Sequence, residues 1–184
     1  MKPLTRKNKY RFLALSLALA LGSLLFLPRL ITAASPAPLT GWPVRGRISQ
    51  PFGCSPYYSG VPAPHCPAET PWFHDGLDIA VPSGQPVRAA ISGTVLFAGA
   101  DDAGPACGAY RGYGLAVVID SGTGWQTLYA HLSDLFVSKG QRVSPDTLIG
   151  LSGASVVSGC VSGPHLHFGA REWGMLVDPV LHLK

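Results

Sequence analysis

Beyond residue 43 the apolar residues of this chain fall in short runs of four to eight, rich in Val, Ile, Leu and Tyr and separated by Gly and Pro. Thr94–Ala98, Leu115–Asp120, Trp125–Tyr129, Leu148–Leu151 and His165–Ala170 are the clearest of them. Short apolar runs bounded by turn formers are strand signals. No stretch here carries a helical stripe of useful length. Asp178-Pro179-Val180-Leu181 predicts one closing turn, with Asp178 as cap and Pro179 at the first helical position. The pattern predicts a mainly β domain with little helix. It also contains an echo: Gly84-Gln85-Pro86-Val87 leads to Gly93, and Gly140-Gln141-Arg142-Val143 leads to Gly150, 56 residues apart at their starts. This repeat predicts two related β units folded against each other.

The start of the chain follows another rule. Lys2, Arg6, Lys7, Lys9 and Arg11 precede Phe12–Leu27, 16 residues of mostly Leu and Ala, and Thr32-Ala33-Ala34 supplies small residues for cleavage. A basic start, an apolar stretch and a small-residue site are the marks of a secretory signal. The apolar stretch falls short of the roughly 18–20 residues that span a bilayer comfortably. With Leu30 and Ile31 beyond Arg29, an uncleaved anchor over residues 12–31 is the alternative. Residues 1–34 are therefore expected to be a signal peptide or N-terminal membrane anchor, 35–43 a Pro/Ala/Ser/Gly linker, and 44–184 the folded domain. Because the basic end stays inside, that domain is expected to be periplasmic or extracellular.

Charge changes this picture in one respect. The chain carries a net +4, but six basic residues and no acidic ones precede Ser35. Removing them leaves the exported part at −2, with no basic patch for nucleic acid. Its four cysteines, Cys54, Cys66, Cys107 and Cys160, are expected to form two disulfides in an oxidising compartment. The short loop rich in Pro, Tyr and Gly favours Cys54–Cys66, and Cys107–Cys160 follows by exclusion. No CxxC spacing supports a cysteine metal site, and no Cys is placed for a lipid anchor.

Candidate chemistry concentrates in His74-Asp75-Gly76-Leu77-Asp78, Tyr129-Ala130-His131-Leu132 and Gly163-Pro164-His165-Leu166-His167-Phe168, which hold four of the six histidines. A catalytic zinc takes three protein ligands from His and Asp/Glu and leaves its fourth position to water. Any three of His74, Asp78, His131, His165 and His167 could build such a site. His165 and His167, two apart, face the same side of a strand. His74 and Asp78 would stand roughly 13 Å apart on a straight strand, whereas donors on one zinc lie about 3.3 Å apart. The chain must therefore bend at Gly76, by a bulge or tight turn. His131 is expected at the edge of a loop. Asp75 is read as a solvated turn carboxylate rather than a partner to a metal-ligating histidine, His65 as a surface-loop residue and His182 as structural.

These motifs, with Val87-x-Ala89, Gly93-Thr94-Val95, Tyr113-Gly114 and Ile149-Gly150 between them, resemble the lysostaphin/LytM type of zinc endopeptidase, in that family's order and from about Arg47 to Pro179. The resemblance implies an antiparallel β-sheet groove of the barrel-sandwich hybrid type with one zinc ion at its floor, acting on the peptide part of bacterial peptidoglycan. Position by position, His74, Asp78 and His167 match the zinc ligands, and His131 and His165 match the two non-ligand catalytic histidines. Zinc of this kind acidifies its water and polarises the scissile carbonyl, while the two histidines move protons. Two insertions depart from the family pattern, the Cys54–Cys66 loop and Ala154–Ser162, and both are expected to border the groove.

Two rivals come from other classes. A non-catalytic relative that binds cell-wall peptides or activates an enzyme typically lacks ligands, and none is missing here. A lipoyl or biotinyl carrier needs a Lys at a hairpin tip, and the exported region has only Lys139 and Lys184. The expected state is a monomer whose membrane contact runs only through the N-terminal segment.

Overall fold

The computed structural model describes residues 39–57, 62–101, 106–107, 110–153 and 163–184, with 106, 107, 110 and 111 described by backbone alone. The proposed signal or anchor segment lies outside them. Among the described residues no helix is long and apolar enough to cross a membrane.

Among the described residues fourteen strands run in chain order: β1 Arg47–Gln50, β2 Gly53–Ser55, β3 Trp72–His74, β4 Leu77–Ala80, β5 Pro86–Arg88, β6 Gly93–Ala100, β7 Ala106–Cys107, β8 Tyr110–Arg111, β9 Leu115–Asp120, β10 Trp125–Leu135, β11 Arg142–Val143, β12 Leu148–Ser152, β13 His165–Glu172 and β14 Met175–Val177. Ten of them join in one sheet of order β1-β4-β13-β10-β9-β6-β11, with β12 against β10 and β5, and β14 against β13. β2–β3 and β7–β8 form separate hairpins. All these pairings are antiparallel. The closing turn is a 3-10 turn, Pro179–Leu181, whose cap Asp178 accepts the Val180 N–H.

The long strands form where alternation is cleanest. Val117 and Ile119 on β9, Thr127 and Tyr129 on β10, and Leu166, Phe168 and Ala170 on β13 all point into one buried core with Leu77, Ile79 and Ile149. Each large apolar side chain so buried contributes about 1.5–3 kcal/mol. Tyr129 keeps its hydroxyl satisfied there, accepting from the Ala90 N–H at 2.8 Å and the Thr127 hydroxyl at 3.1 Å. Burial pushes its pKa up to about 12.

The sequence echo is a structural repeat. β5 pairs with β12 and β11 pairs with β6, so each unit lays its short strand on the long strand of the other. The bonds correspond: Gly84 N–H donates to Ser152 O and Gly140 N–H to Val95 O, while Ser152 N–H donates to Gln85 O and Val95 N–H to Gln141 O. Gly93 and Gly150 each lie under a crossing backbone, where a Cβ would come within 2.2 Å of Asp120 O and 2.4 Å of Asp134 O. Side chains are excluded at both points by the same crossing.

The supposed linker is seated by its last residues. Leu39 is fully buried, and Thr40 bonds Ala90 O through both its N–H and its hydroxyl. One apolar residue in a Pro/Ala/Ser/Gly stretch is enough to dock it. Cys54 and Cys66 form a disulfide. For the expected second bridge, Cys160 lies outside the described residues and so does the side chain of Cys107.

Candidate active site

β3 ends at His74 and β4 begins at Leu77, so Asp75 and Gly76 alone make the bend that the spacing of His74 and Asp78 requires. The turn is tight because His167 occupies its inside: a Cβ on Gly76 would fall 2.6 Å from His167 Nε2. β4 lies beside β13 in a register that sets Asp78 directly opposite His167. Three donors separated by up to 93 positions thus meet. His74 Nε2 is 3.1 Å from Asp78 Oδ1 and 3.1 Å from His167 Nδ1, and His167 Nδ1 is 3.0 Å from Asp78 Oδ1.

The outer ring nitrogens fix what this triangle presents. His74 Nδ1 lies 2.9 Å from Pro51 O, which only accepts, so Nδ1 carries the proton and the neutral ring turns a bare Nε2 inward. His167 Nε2 faces Asp75 Oδ1 at 3.3 Å, which leaves Nδ1 bare in the neutral ring. Three lone-pair donors at 3.0–3.1 Å repel unless a cation lies among them, and this spacing is close to the about 3.3 Å edge of a tetrahedral zinc site. Two buried imidazoles and one largely buried carboxylate suit that ion. Without it a proton serves: burial works against charge on His167, but Asp75 and Asp78 raise its pKa to about 9. Burial likewise opposes ionisation of the two carboxylates, yet hydrogen bonds from His167 hold both well below the usual carboxylate range.

Asp75 is therefore not a solvated turn residue. On one side it lies 3.3 Å from His167 Nε2, and on the other it accepts the Tyr113 hydroxyl proton. Burial, then the Asp75 charge, drive the Tyr113 pKa above its ordinary value. A carboxylate that orients a metal-ligating histidine in this way raises the ligand's basicity. Tyr113 was legible only as half of a Tyr-Gly pair, since the contact joins residues 38 apart.

His165 and His131 complete the cluster. His165 Nδ1 lies 2.9 Å from Gly163 O, and its Nε2 stands 3.6 Å from Asp78 Oδ1. His131 is not at a loop edge but inside the 11-residue β10, at a bulge where pairing with β9 slips between Tyr129 and Leu132. Its φ of 60° is a left-handed conformation that costs a non-glycine residue about 1–3 kcal/mol. The bulge is held by His131 N–H on Tyr113 O and by Gly153 N–H on His131 O. It turns the imidazole to within 4.8 Å of the His165 ring and 5.8 Å of the His167 ring, centroid to centroid. All five residues singled out in the sequence thus come together. His65, exposed, packs edge-on against Phe73, and His182 packs against Trp125. Cys54, His65 and Cys66 also cluster, but the two sulfurs are bonded to each other.

This fold is shared with a family of peptidases. Residues 72–179 match the model of Peptidase family M23, and the chain belongs to that family. Over 135 residues it is 40% identical to DD-carboxypeptidase/endopeptidase Mpg of Neisseria meningitidis serogroup B, covering 73% of this chain and 26% of that protein. The chain thus spans about a quarter of the length of that relative. A zinc containing peptidase from Vibrio cholerae superposes with a TM-score of 0.59 at 28% identity, over 77% of this chain and 39% of the other. The catalytic domain of the antimicrobial peptidase lysostaphin from Staphylococcus simulans gives 0.52 at 27% identity, over 71% and 87%. The mainly antiparallel β fold expected from the sequence is the fold of these proteins.

Proposed function

We propose that this protein is an exported, zinc-dependent endopeptidase that hydrolyses peptide bonds in bacterial peptidoglycan, in cross-links or stem peptides. One observation carries the reading: three bare donors closed to 3.0–3.1 Å, each ring oriented from behind, with two further imidazoles over them. His74, Asp78 and His167 would hold a single zinc ion. When bound, zinc supplies the Lewis acidity that polarises a scissile carbonyl and acidifies a water.

The chain's own residues supply the rest. His165 commits Nδ1 to Gly163 O, so its bare Nε2 is placed to take a proton from the attacking water. His131, held at the bulge, faces the same space and donates to the developing oxyanion or the departing amine. Each such proton transfer is worth about 10²–10⁴-fold. Asp75 and Tyr113 keep the His167 ring in register. Export is supported by the basic-then-apolar start of the chain and by the Cys54–Cys66 disulfide. The domain arrangement follows: a signal or anchor over 1–34, then the peptidase domain.

The test is digestion of purified cell walls by the full chain, with released fragments read by mass spectrometry. Hydrolysed peptide ends that vanish with chelator and return with zinc are expected. Walls left intact by zinc-loaded protein would overturn the reading.

A further inference from the structure

The groove face of the sheet continues past the histidine cluster into a pocket that the chemistry above does not use. On β13 the face that carries His165 and His167 next carries Gly169 and Arg171, since side chains alternate. The register sets Leu128 opposite Gly169 and Gln126 opposite Arg171. Between these residues, Val118 of β9, Phe97 of β6 and Leu176 of β14 lies a cavity of about 350 Å³, bordered toward the histidines by Asp75 and Tyr113. That is near the lower end of the about 300–1,000 Å³ of ligand pockets, room for one or two residues rather than for a long chain.

Its polar groups differ in how far they are engaged. Asp75 accepts from the Tyr113 hydroxyl and faces His167, and Asp101 Oδ2 accepts the Tyr113 N–H at 3.0 Å. Gln126 donates to Asp120 at 2.9 Å. Among the described residues Arg171 is the only cation in the lining. Its Nη1 donates to Gly174 O at 3.1 Å, which leaves most of its five N–H donors for a ligand. Gly169 makes the space. A Cβ there would meet Leu128 Cβ at 3.5 Å and Asp75 O at 3.6 Å, ordinary contacts, so nothing in the backbone demands glycine. A larger side chain at this position would fill the pocket floor.

The geometry points to a specificity subsite in which Arg171, over the floor opened by Gly169, pairs with a carboxylate of the substrate peptide. This deepens the proposed function and rests on it. Arg171 follows His167 by four residues, about 13 Å along the strand. The carboxylate it reads therefore belongs to a residue about three to four positions from the scissile bond in an extended peptide, or to a long side chain nearer to it. The apolar walls fit the methylenes of such an arm, and guanidinium pairs with carboxylate in a two-pronged geometry that an ammonium does not reproduce.

The test uses the zinc-loaded full chain and two synthetic cross-linked peptides, identical except that the acidic residue carries a free carboxylate in one and a carboxamide in the other. Wild type is expected to favour the acid in kcat/KM by about 10–100-fold, the worth of a hydrogen bond to a charged group, mainly through KM. R171M should bring the ratio near one, R171K should keep part of it, and G169V should lose it while retaining zinc. Equal use of both peptides by wild type, or an unchanged ratio in R171M, overturns the subsite. A parallel titration of both peptides into zinc-loaded H131A reads affinity without turnover. Acid-selective binding there that R171M removes in the H131A background sustains the subsite even where no hydrolysis occurs and the enzyme reading falls; equal binding overturns the subsite alone.

Discussion

The two faces of β13 divide the labour of this protein. Leu166, Phe168 and Ala170 are buried in the core, whereas His165 and His167, one position out of phase, face the donors on β4 and the bulge on β10. A period of two thus sorts stability from chemistry within six residues. The difference lies in how each face is satisfied. The core face needs only matching volume, but the groove face places buried imidazoles and carboxylates where each requires a named partner.

The sharpest way to break that division is to exchange one residue from each face. His167→Ala should abolish zinc retention and hydrolysis while leaving a cooperative unfolding transition. Phe168→Ala should cost about 3–5 kcal/mol in denaturant titration and leave one zinc per folded chain. If His167→Ala kept its zinc and its activity, the ligand assignment would be lost. Within the groove face, His131→Ala should keep the metal but lower turnover by about 10²–10⁴-fold, and unchanged hydrolysis would remove it from the chemistry. Asp75→Asn should weaken zinc binding by about 10–100-fold, measured by competition with a chromophoric chelator. Tyr113→Phe should give a smaller loss of the same sign, since it removes only the hydroxyl that holds Asp75.

Protons sharpen the contrast at the low end. In the metal-free protein His167 has its pKa raised to about 9, so its contribution to stability is full below about pH 6.5 and fades as pH rises through 9. Asp75 and Asp78 are depressed, so theirs is full above about pH 4 and is lost as pH falls further. The metal-free domain should therefore be most stable between about pH 4 and 6.5. Zinc uptake near pH 7.5 should release about one proton, read calorimetrically in buffers of different ionisation enthalpy. No proton release would contradict the pairing of His167 with both carboxylates.

How much of this could be read from the sequence follows from the same two faces. Strands β6, β9, β10, β12 and β13 were legible because their apolar runs are long enough to show a pattern. β1, β2, β3 and β5, three or four residues each, lie among Pro and Gly and give no periodic signal. The bend at Gly76 followed from bond lengths alone, but its cause, the His167 ring pressed against it, depends on the β4–β13 register. The role of Asp75 is not local, since its partners Tyr113 and His167 are remote in the chain. The loop-edge reading of His131 failed because a bulge lets a strand continue through a left-handed residue, which no local pattern announces.

The most direct measurement is the equilibrium stoichiometry and affinity of zinc for the full chain, compared with His74→Ala, Asp78→Ala and His167→Ala. One ion bound tightly by the wild type and lost in every variant is the expected result. A wild type that takes up no zinc, or variants that bind it as well as the wild type does, would contradict a metal held at the meeting of β3, β4 and β13.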